Sequence, residues 1–447
     1  MPTTDRVSAG GEATGGGGDA AARSRSGMPP IVGAVTEQLD ENVVRTRLPC
    51  GTEVWSERMD SMRSIAIGLW FRSGSAHEGE AHAGIAHLLE HMVFKGTPSR
   101  TARQLAAEIE DLGGSLDAYT SHEHTAFQAR VPDDALDAAL DVLTDLAFHP
   151  RLDPADLELE REVVLEELAR VEDTPDDLVF DLHAEYMFGG HPYGRPILGR
   201  ADTVAGIDAA TLRELHASAY RPSNLVVAAA GRLDHAELLQ KLFARLPEAG
   251  GAPDTELPPL PPFGRGVRRV VREGGRQTHI VAGAAGVSAV DPLRHAVILT
   301  CTALGGGMGS RLFQRIREEL GLAYAVYSFR GFYQVGGHVG AYLGTRPDTA
   351  EQARDVLLEE LARLAQTGLG PEELEATRTQ LKGQVVLSLE SPGSRMYRLA
   401  SSGLSGEPYR SLDRIMEDID GVGSEELEAA AALFDPHALA VLELSPA

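Results

Sequence analysis

The alternation of apolar and polar positions in the first half of the chain predicts a mixed fold of strands and helices. Two short alternating segments flank the turn Pro49-Cys50-Gly51 and predict a β-hairpin. Apolar residues three and four positions apart predict amphipathic helices, and Gly113-Gly114 marks the end of one of them. The predicted strands are 43–47, 53–56, 65–72, 115–120, 125–131 and 225–230, and the predicted helices are 82–94, 102–112, 135–148 and 154–172.

A proline- and glycine-rich segment, residues 248–263, separates these elements from a second series in a similar order. In each half a strand pair leads through a proline into a long helix, as in VPDDALDAALDVL and RPDTAEQARDVL. The repetition predicts an α+β chain of two homologous domains, each a mainly antiparallel sheet with helices packed on it. In the second half, strands are predicted at 278–284, 322–329 and 338–343, and helices at 292–304, 311–320 and 349–365.

The expected domain boundaries follow from these patterns. Residues 1–42 are expected to be a disordered tail with a lead-in to the first strand. The first thirty residues are rich in Gly, Ala, Ser and Thr and lack the apolar stretch of a secretory signal. Residues 43–247 form the first predicted domain, 248–263 the linker, and 264–447 the second domain.

Charge and composition exclude several classes of protein. Acidic residues number 66 and basic residues 41, so the 447-residue chain carries a formal net charge of −25. Such a charge disfavours nucleic-acid binding, because phosphates would be repelled. No run approaches the about 18 consecutive apolar residues of a membrane span. The only cysteines, Cys50 and Cys301, indicate a reducing compartment, so we expect a cytoplasmic protein without a disulfide framework.

The segment His87-Leu88-Leu89-Glu90-His91 lies within the predicted helix 82–94 and carries candidate metal chemistry. Histidines four residues apart stack one helical turn above each other and can bind one Zn²⁺. Glu90 can face the metal site without being a ligand, which is the position required of a general base. The alternative is that both histidines are half-buried residues of a helix surface.

A third ligand is expected from the acidic helix 154–172. Most of its carboxylates are expected to form a solvated face. Glu160 and Glu167 are seven residues apart and therefore share a face, so one could bind the metal while the other orients a ligand. Periodicity alone leaves open which acid is the ligand. The acids considered are Glu158, Glu160, Glu162, Glu166, Glu167 and Glu172.

Nearly the whole chain after residue 42 resembles the pitrilysin/insulinase family of zinc peptidases, in which H-x-x-E-H inverts the usual order. It looks closest to the bacterial relatives of the mitochondrial processing peptidase. The segments that carry the resemblance are LPCGTEV, WFRSGSAHEGEAHAGIAHLLEHMVFKGT, GGSLDAYTSHEHTAF, EREVVLEELARVED, HPYGRPILG and LGGGMGSRLFQRIREELGLAYAVYSF.

The resemblance implies a role for each matching residue of the metal site. It makes His87 and His91 zinc ligands, Glu90 the catalytic base and Glu167 the third ligand. Glu160 becomes an acid that supports a ligand. The corresponding segment of the second half, VILTCTALGGGMGS, contains no histidine or glutamate, so one zinc per chain is implied.

Arg317 and Tyr324 form the implied functional pair of the second half. In the family, an arginine and a tyrosine at this spacing reach across to the zinc site and hold the substrate carbonyl, where a guanidinium and a phenol can stabilise an oxyanion. Without the family, the same residues would be interpreted as a surface arginine and a core tyrosine.

The resemblance also implies how a peptide binds. In the family an extended peptide adds as a strand to an exposed edge, here Ser115–Thr120, with Asp117, Ala118 and Tyr119 as the implied substrate-binding residues. Asp117 stands where the family usually has Asn, and we expect an acid there to favour cationic substrates. Gly305, Gly306 and Gly307 resemble a flexible substrate loop of the family. They lack the spacing of a phosphate-binding loop, which excludes nucleotide binding.

The predicted function is a zinc metalloendopeptidase that cuts short or unfolded peptides inside a closed chamber. In the family four such domains enclose the chamber, and this chain supplies two, so it is half of a clamshell. We therefore expect a homodimer, with a heterodimer of related subunits as the alternative.

A non-catalytic partner subunit and a metal-binding module without turnover are the competing functions. Glu90 argues against both, because neither needs a general base.

Overall fold

The computed structural model describes residues 31–248 and 256–447, which form two sheets covered by helices. The predicted tail up to residue 30, and residues 249–255 of the predicted linker, lie outside the described residues. The strands of the first sheet are β1 (Val35–Asp40), β2 (Val43–Arg47), β3 (Glu53–Arg58), β4 (Ser64–Phe71), β5 (Ser115–Thr120), β6 (Thr125–Pro132) and β7 (Leu225–Gly231). The accompanying helices are α1 (Ile85–Val93), α2 (Ala102–Asp111), α3 (Leu136–Phe148), α4 (Pro154–Glu172), α5 (Pro175–Phe188), α6 (Ala201–Gly206), α7 (Ala209–Ala219) and α8 (His235–Phe243).

The second sheet follows the segment 256–265. Its strands are β8 (Gly266–Arg272), β9 (Thr278–Gly286), β10 (Ala323–Phe332), β11 (Gly337–Thr345) and β12 (Ala440–Pro446). The helices of this part are α9 (Arg294–Gly305), α10 (Ala350–Thr367), α11 (Pro371–Ser388), α12 (Pro392–Ser405), α13 (Leu412–Asp420) and α14 (Ser424–Ala432), together with a π-helical segment, Phe313–Glu319.

The two sheets share one topology. The first has the strand order β1-β2-β3-β7-β4-β6-β5, and the second has β10-β11-β9-β12-β8. Reading the second in reverse, β8-β12-β9-β11-β10 matches β3-β7-β4-β6-β5 strand for strand. In both sheets the pair nearest the β3 or β8 end is parallel and the remaining pairs of this core are antiparallel. The predicted two-domain α+β fold is confirmed, and the shared topology supports a duplication.

Each domain gives one helix to the sheet of the other. Leu178 and Val179 of α5 pack with Val281 and Leu442 of the second sheet. The helix α12, which holds the equivalent place in the second domain, packs Met396 and Leu399 on the first sheet beside Trp55 and Trp70. The exchange buries the second face of both sheets. It also makes the core of each domain depend on residues of the other.

The metal-motif helix α1 lies on the opposite face of the first sheet from α12. Its apolar residues recur three and four positions apart, and Leu88, Leu89 and Met92 are fully buried in the larger core. Burial of this face fixes the rotation of the helix. His87, Glu90 and His91 therefore point away from the core, toward α4 and the edge strand β5.

Three predicted elements differ from the structure. The lead-in within residues 1–42 contains strand β1, because Val35–Asp40 pairs antiparallel with β2. The helix predicted at 82–94 begins at Ile85, because Gly84 has φ +95° and breaks the helical path. The helix predicted at 311–320 is π-helical over Phe313–Glu319. None of the helices among residues 31–248 and 256–447 combines the length and apolar character that crossing a membrane requires.

Candidate metal centre

His87, His91 and Glu167 converge into one group of potential metal ligands. The two imidazoles lie on successive turns of α1, with ring centroids 4.7 Å apart. Glu167 approaches from α4, and its Oε2 lies 3.7 Å from His87 Nε2 and 3.6 Å from His91 Nε2. One ligand atom from each residue fits within a mutual separation of 4.8 Å. The group therefore has the two-nitrogen, one-oxygen composition of catalytic zinc sites that keep a position open.

The state of His87 fits a metal ligand. Burial, followed by the effect of the neighbouring His91, lowers the pKa of His87 to about 4. The ring is therefore neutral at pH 7, as a metal-binding imidazole must be. Its buried Nδ1 has no hydrogen-bond partner among the described residues. The nitrogen that faces Glu167 is Nε2, so coordination of a cation there would leave Nδ1 as the protonated nitrogen.

Glu160 orients His91 from behind. The distance between His91 Nδ1 and Glu160 Oε2 is 3.2 Å, and the carboxylate can only accept, so Nδ1 is assigned as the protonated nitrogen. This tautomer leaves His91 Nε2, the atom nearer Glu167, free as a ligand. Lys95 forms a close ion pair with the other oxygen of the buried Glu160. Both oxygens of the Glu160 carboxylate therefore have a hydrogen-bonding or charged partner.

Glu90 lies beside the ligand group without joining it. Its Oε2 accepts a hydrogen bond of 2.6 Å from the Thr120 hydroxyl at the end of β5. Burial raises the pKa of Glu90, and the bond from Thr120 opposes this effect. A carboxylate with a raised pKa and a fixed rotamer, next to a metal site, is suited to accept a proton from water.

The strand β5 is the outermost strand of the first sheet, so its outer edge has no partner strand among the described residues. Asp117 is exposed there, and its two carboxylate oxygens accept from the Ala118 amide at 3.0 Å and from Gln128 Nε2 at 3.3 Å. Tyr119 lies on the same face of the strand as Asp117, away from α1, and its hydroxyl contacts Trp70 Nε1 at 3.0 Å. Of the predicted peptide-binding residues, Tyr119 thus packs its side chain on the core beside Trp70.

Arg317 and Tyr324 lie together in the second domain. The guanidinium of Arg317 lies 4.5 Å from the centroid of the Tyr324 ring, and its Nη1 donates to the Tyr324 carbonyl at 3.0 Å. Tyr324 is 77% exposed. No hydrogen bond or ion pair within residues 31–248 and 256–447 joins either residue to the metal-ligand group. The two residues of the predicted pair contact each other, but they do not contact the metal-ligand residues of their own chain.

The predicted glycine loop is only partly a loop. Gly305 is the last residue of α9 and is buried, and a Cβ there would lie 2.2 Å from the Ser328 amide nitrogen. A Cβ at Gly306 would lie 2.7 Å from Thr302. These two glycines are required by close packing against β10 and against the preceding helical turn. Gly307 is exposed and begins the turn that carries the exposed Met308.

Sequence patterns missed Thr120 and Lys95. Thr120 was predicted only as the end of a strand, although strand alternation places it on the same face as Leu116 and Ala118, toward α1. Lys95 follows His91 by four residues but lies beyond the predicted helix 82–94 and beyond α1, so helical spacing did not indicate it. Their partners, Glu90 and Glu160, could not be inferred without the packing of α1 against β5 and α4.

The comparisons with known proteins agree with this geometry. The family model "Insulinase (Peptidase family M16)" matches residues 53–201, and "Peptidase M16 inactive domain" matches residues 206–381. An uncharacterized zinc protease of Streptomyces coelicolor is 38% identical over 398 residues, covering 87% of this chain and 86% of that protein. The uncharacterized zinc protease YmxG of Bacillus subtilis is 35% identical and covers 89% and 96%. The chain belongs to the insulinase family of peptidases, family M16.

Solved structures share the fold. A peptidase M16 inactive domain from Pseudomonas fluorescens superposes with a TM-score of 0.85 at 23% identity, covering 91% of this chain and 98% of that one. A protease from Helicobacter pylori superposes with a TM-score of 0.83 at 20% identity, covering 90% and 99%. Together with the relatives named as zinc proteases, family membership identifies the chain as a zinc metallopeptidase by class.

Proposed function

We propose that the protein is a zinc-dependent metalloendopeptidase that hydrolyses short or unfolded peptides and holds one zinc per chain. The observation that carries the proposal is the position of Glu90. It is fixed by Thr120 and lies beside two histidines and a glutamate that share one ligand pocket. A structural metal site or a pure binding module has no use for an additional carboxylate held in this way.

Each residue of the site has its own proposed role in hydrolysis. Zinc, when bound, lowers the pKa of water and polarises a carbonyl. His87, His91 and Glu167 hold it, and Glu160 fixes the tautomer of His91. Glu90 accepts the proton of the attacking water at its carboxylate. It then delivers that proton to the leaving amine nitrogen as the peptide bond breaks.

The substrate is proposed to bind as an added strand on the outer edge of β5. β5 is an end strand of the first sheet among the described residues, and Thr120 at its end contacts the base. Such main-chain pairing accepts many sequences and requires an extended segment, which favours short or unfolded peptides. Asp117 adds an exposed negative charge, and we propose that it favours cationic residues.

A dimer is proposed to complete the site. The half-buried Arg317 stacks on the exposed ring of Tyr324, yet neither residue contacts the ligand group of its own chain among the described residues. Placed over the metal centre of a second copy, a guanidinium and a phenol would stabilise the charge that develops on the carbonyl oxygen. Two chains of this kind would close into a chamber with two equivalent sites.

The proposal is tested with Glu90→Gln, which keeps the shape of the side chain but cannot accept a proton. Metal analysis should find about one zinc per chain in both proteins, whereas peptide cleavage should fall by about 10²–10⁴-fold. Glu162→Gln, an exposed acid on α4, is the matched control and should change neither quantity. Cleavage by Glu90→Gln at the normal rate, or wild-type protein without zinc, would refute the proposed mechanism.

A further inference from the structure

The amino-terminal end of α1 is buried and lacks an ordinary cap. The N-cap residue, Gly84, has φ +95° and no side chain to accept from the first turn, and residues 83–86 are all buried. The free N–H groups of a first turn need an acceptor when water is excluded. Because His87 lies in this turn, whatever satisfies these groups also fixes the position of a metal ligand.

Glu78 supplies the missing acceptors from outside the helix. Its Oε2 accepts from the Gly84 amide at 2.8 Å, and its Oε1 accepts from the Ala86 amide at 2.7 Å. Burial raises the pKa of Glu78 to about 8, while these two donors act in the opposite direction. Because each oxygen lies where it accepts an N–H, the arrangement favours the ionised carboxylate over the neutral acid. In its ionised form the carboxylate also offsets the positive end of the helix dipole next to His87.

The segment HPYGRPILG and the residues after it close over Glu78 from behind. Arg195 Nη1 donates to the Glu78 carbonyl at 2.9 Å, and Thr203 Oγ1 donates to the Ala83 carbonyl at 2.7 Å. A Cβ at Gly199 would lie 2.2 Å from the Ala83 oxygen, so the two backbone segments approach so closely that only glycine fits at this position. We call Arg195, Gly199 and Thr203 the bracket. It holds the segment 78–84 against the first turn of α1.

We propose that Glu78, held by the bracket, is a positioning residue that sets the metal affinity of the site by fixing the first turn of α1. It acts through the backbone of Gly84 and Ala86 and contacts neither the metal ligands nor the substrate. The inference rests on the proposed function only in taking His87 as a zinc ligand. It assigns a role to a conspicuous sequence segment, 191–199, that contains no proposed catalytic residue.

The test compares Glu78→Gln with Asp234→Ala, which removes an N-cap. A glutamine can accept from one of the two amides, but its own NH₂ group then faces the other donor. Asp234 caps α8 by accepting from the Glu237 amide at 3.0 Å and serves as a cap far from the metal residues in the sequence. Zinc affinity is measured by competition with a chelator, and the stability of the zinc-free proteins by thermal unfolding. Both variants should lose stability, but only Glu78→Gln should weaken zinc binding, by about tenfold.

Thr203→Val provides a second and milder perturbation of the same anchor. It removes the hydrogen bond to the Ala83 carbonyl, together with the contacts of the same hydroxyl with the Arg200 amide and carbonyl at the start of α6. It should weaken zinc binding by about two- to tenfold, even if Glu78→Gln does not fold. Zinc affinities within twofold of wild type in the folded variants would overturn the proposal. That result differs from failure of the proposed function, in which the wild-type protein itself would bind no zinc or cleave no peptide.

Discussion

The hydrogen bond between Thr120 and Glu90 offers a direct test of how the proposed base is held. Thr120→Val replaces the hydroxyl by a methyl group of nearly the same size. Valine suits a strand position, so β5 should remain folded. The 2.6 Å bond to the Glu90 carboxylate would be lost, while the His87, His91 and Glu167 group would be untouched. Zinc content should therefore stay at the wild-type level.

The size of the effect follows from the charge of the acceptor. A hydrogen bond to an ionised group contributes about 1.5–3 kcal/mol, and each 1.36 kcal/mol changes a rate by about tenfold. Glu90 without Thr120 can still reach productive orientations part of the time. We therefore expect the lower end of this range, a decrease in kcat of about 10–30-fold.

The pH dependence of Thr120→Val should change in a defined direction. Because the hydroxyl donates to the charged form, it lowers the pKa of Glu90 against the effect of burial. Removing the donor raises that pKa, so the acidic limb of the kcat/KM profile should move to higher pH. The assay is cleavage of an internally quenched peptide over the pH range in which both proteins remain folded and zinc-loaded.

Thr120→Ser is the matched control, because it keeps the hydroxyl and loses only a methyl group. Its rate should remain within about threefold of wild type. A slow Ser variant would show that packing, and not the hydrogen bond, explains the loss in Val. A Val variant with the wild-type rate and a normal zinc content would refute the assigned role of Thr120.

Two further predictions concern the second domain. The first mixes equal amounts of Glu90→Gln and Tyr324→Phe chains, each of which should be nearly inactive alone. Half of randomly formed dimers contain one chain of each kind and hold one complete site, so the mixture should regain roughly one quarter of wild-type activity. If mass spectrometry shows that subunits exchange and no activity returns, the result would contradict a site shared between two chains. His338 on β11 is half-buried, and its desolvation, followed by the effects of His183 and His122, lowers its pKa to about 4. The pKa of histidine in the unfolded chain is about 6.5, so the unfolded state takes up a proton at a higher pH than the folded state does. As the pH falls from about 6.5 to about 4, the protein therefore loses about 1.4 kcal/mol of stability per pH unit. His338→Phe should reduce the pH dependence of the free energy of unfolding by the amount that corresponds to one proton. The measurement is urea unfolding at several pH values in the presence of a chelator, and an equal pH dependence in both proteins would show that His338 does not contribute.

The sequence patterns predicted the elements of the metal site better than their contacts. Helix α4 has the predicted bounds, and the apolar face of α1 faces the core as its periodicity indicated. The spacing of Glu160 and Glu167 placed both on one face of α4. It could not assign their roles, because only the packing of α4 against α1 puts Glu167 near Nε2 of both histidines and Glu160 at Nδ1 of one.

Contacts between distant segments account for what the patterns missed. Glu78 looks like one more surface acid in a polar stretch, and its burial depends on a segment more than a hundred residues later that folds over it. The exchange of α5 and α12 was likewise beyond prediction. An amphipathic pattern shows which face of a helix is buried but does not identify the sheet that covers it.

The shared strand order of the two sheets relates the positions of the two proposed halves of the active site. Strand β5, which ends at Thr120, and strand β10, which carries Tyr324, are the corresponding end strands of the two sheets. In the first domain the helix beside this edge carries His87 and His91, whereas its counterpart α9 is apolar and buried over most of its length. Each domain thus presents an open edge with a different set of functional side chains. A two-fold pairing of chains that brings the β5 edge of one copy opposite the β10 edge of the other would join the metal ligands to the arginine and tyrosine without rearranging either domain.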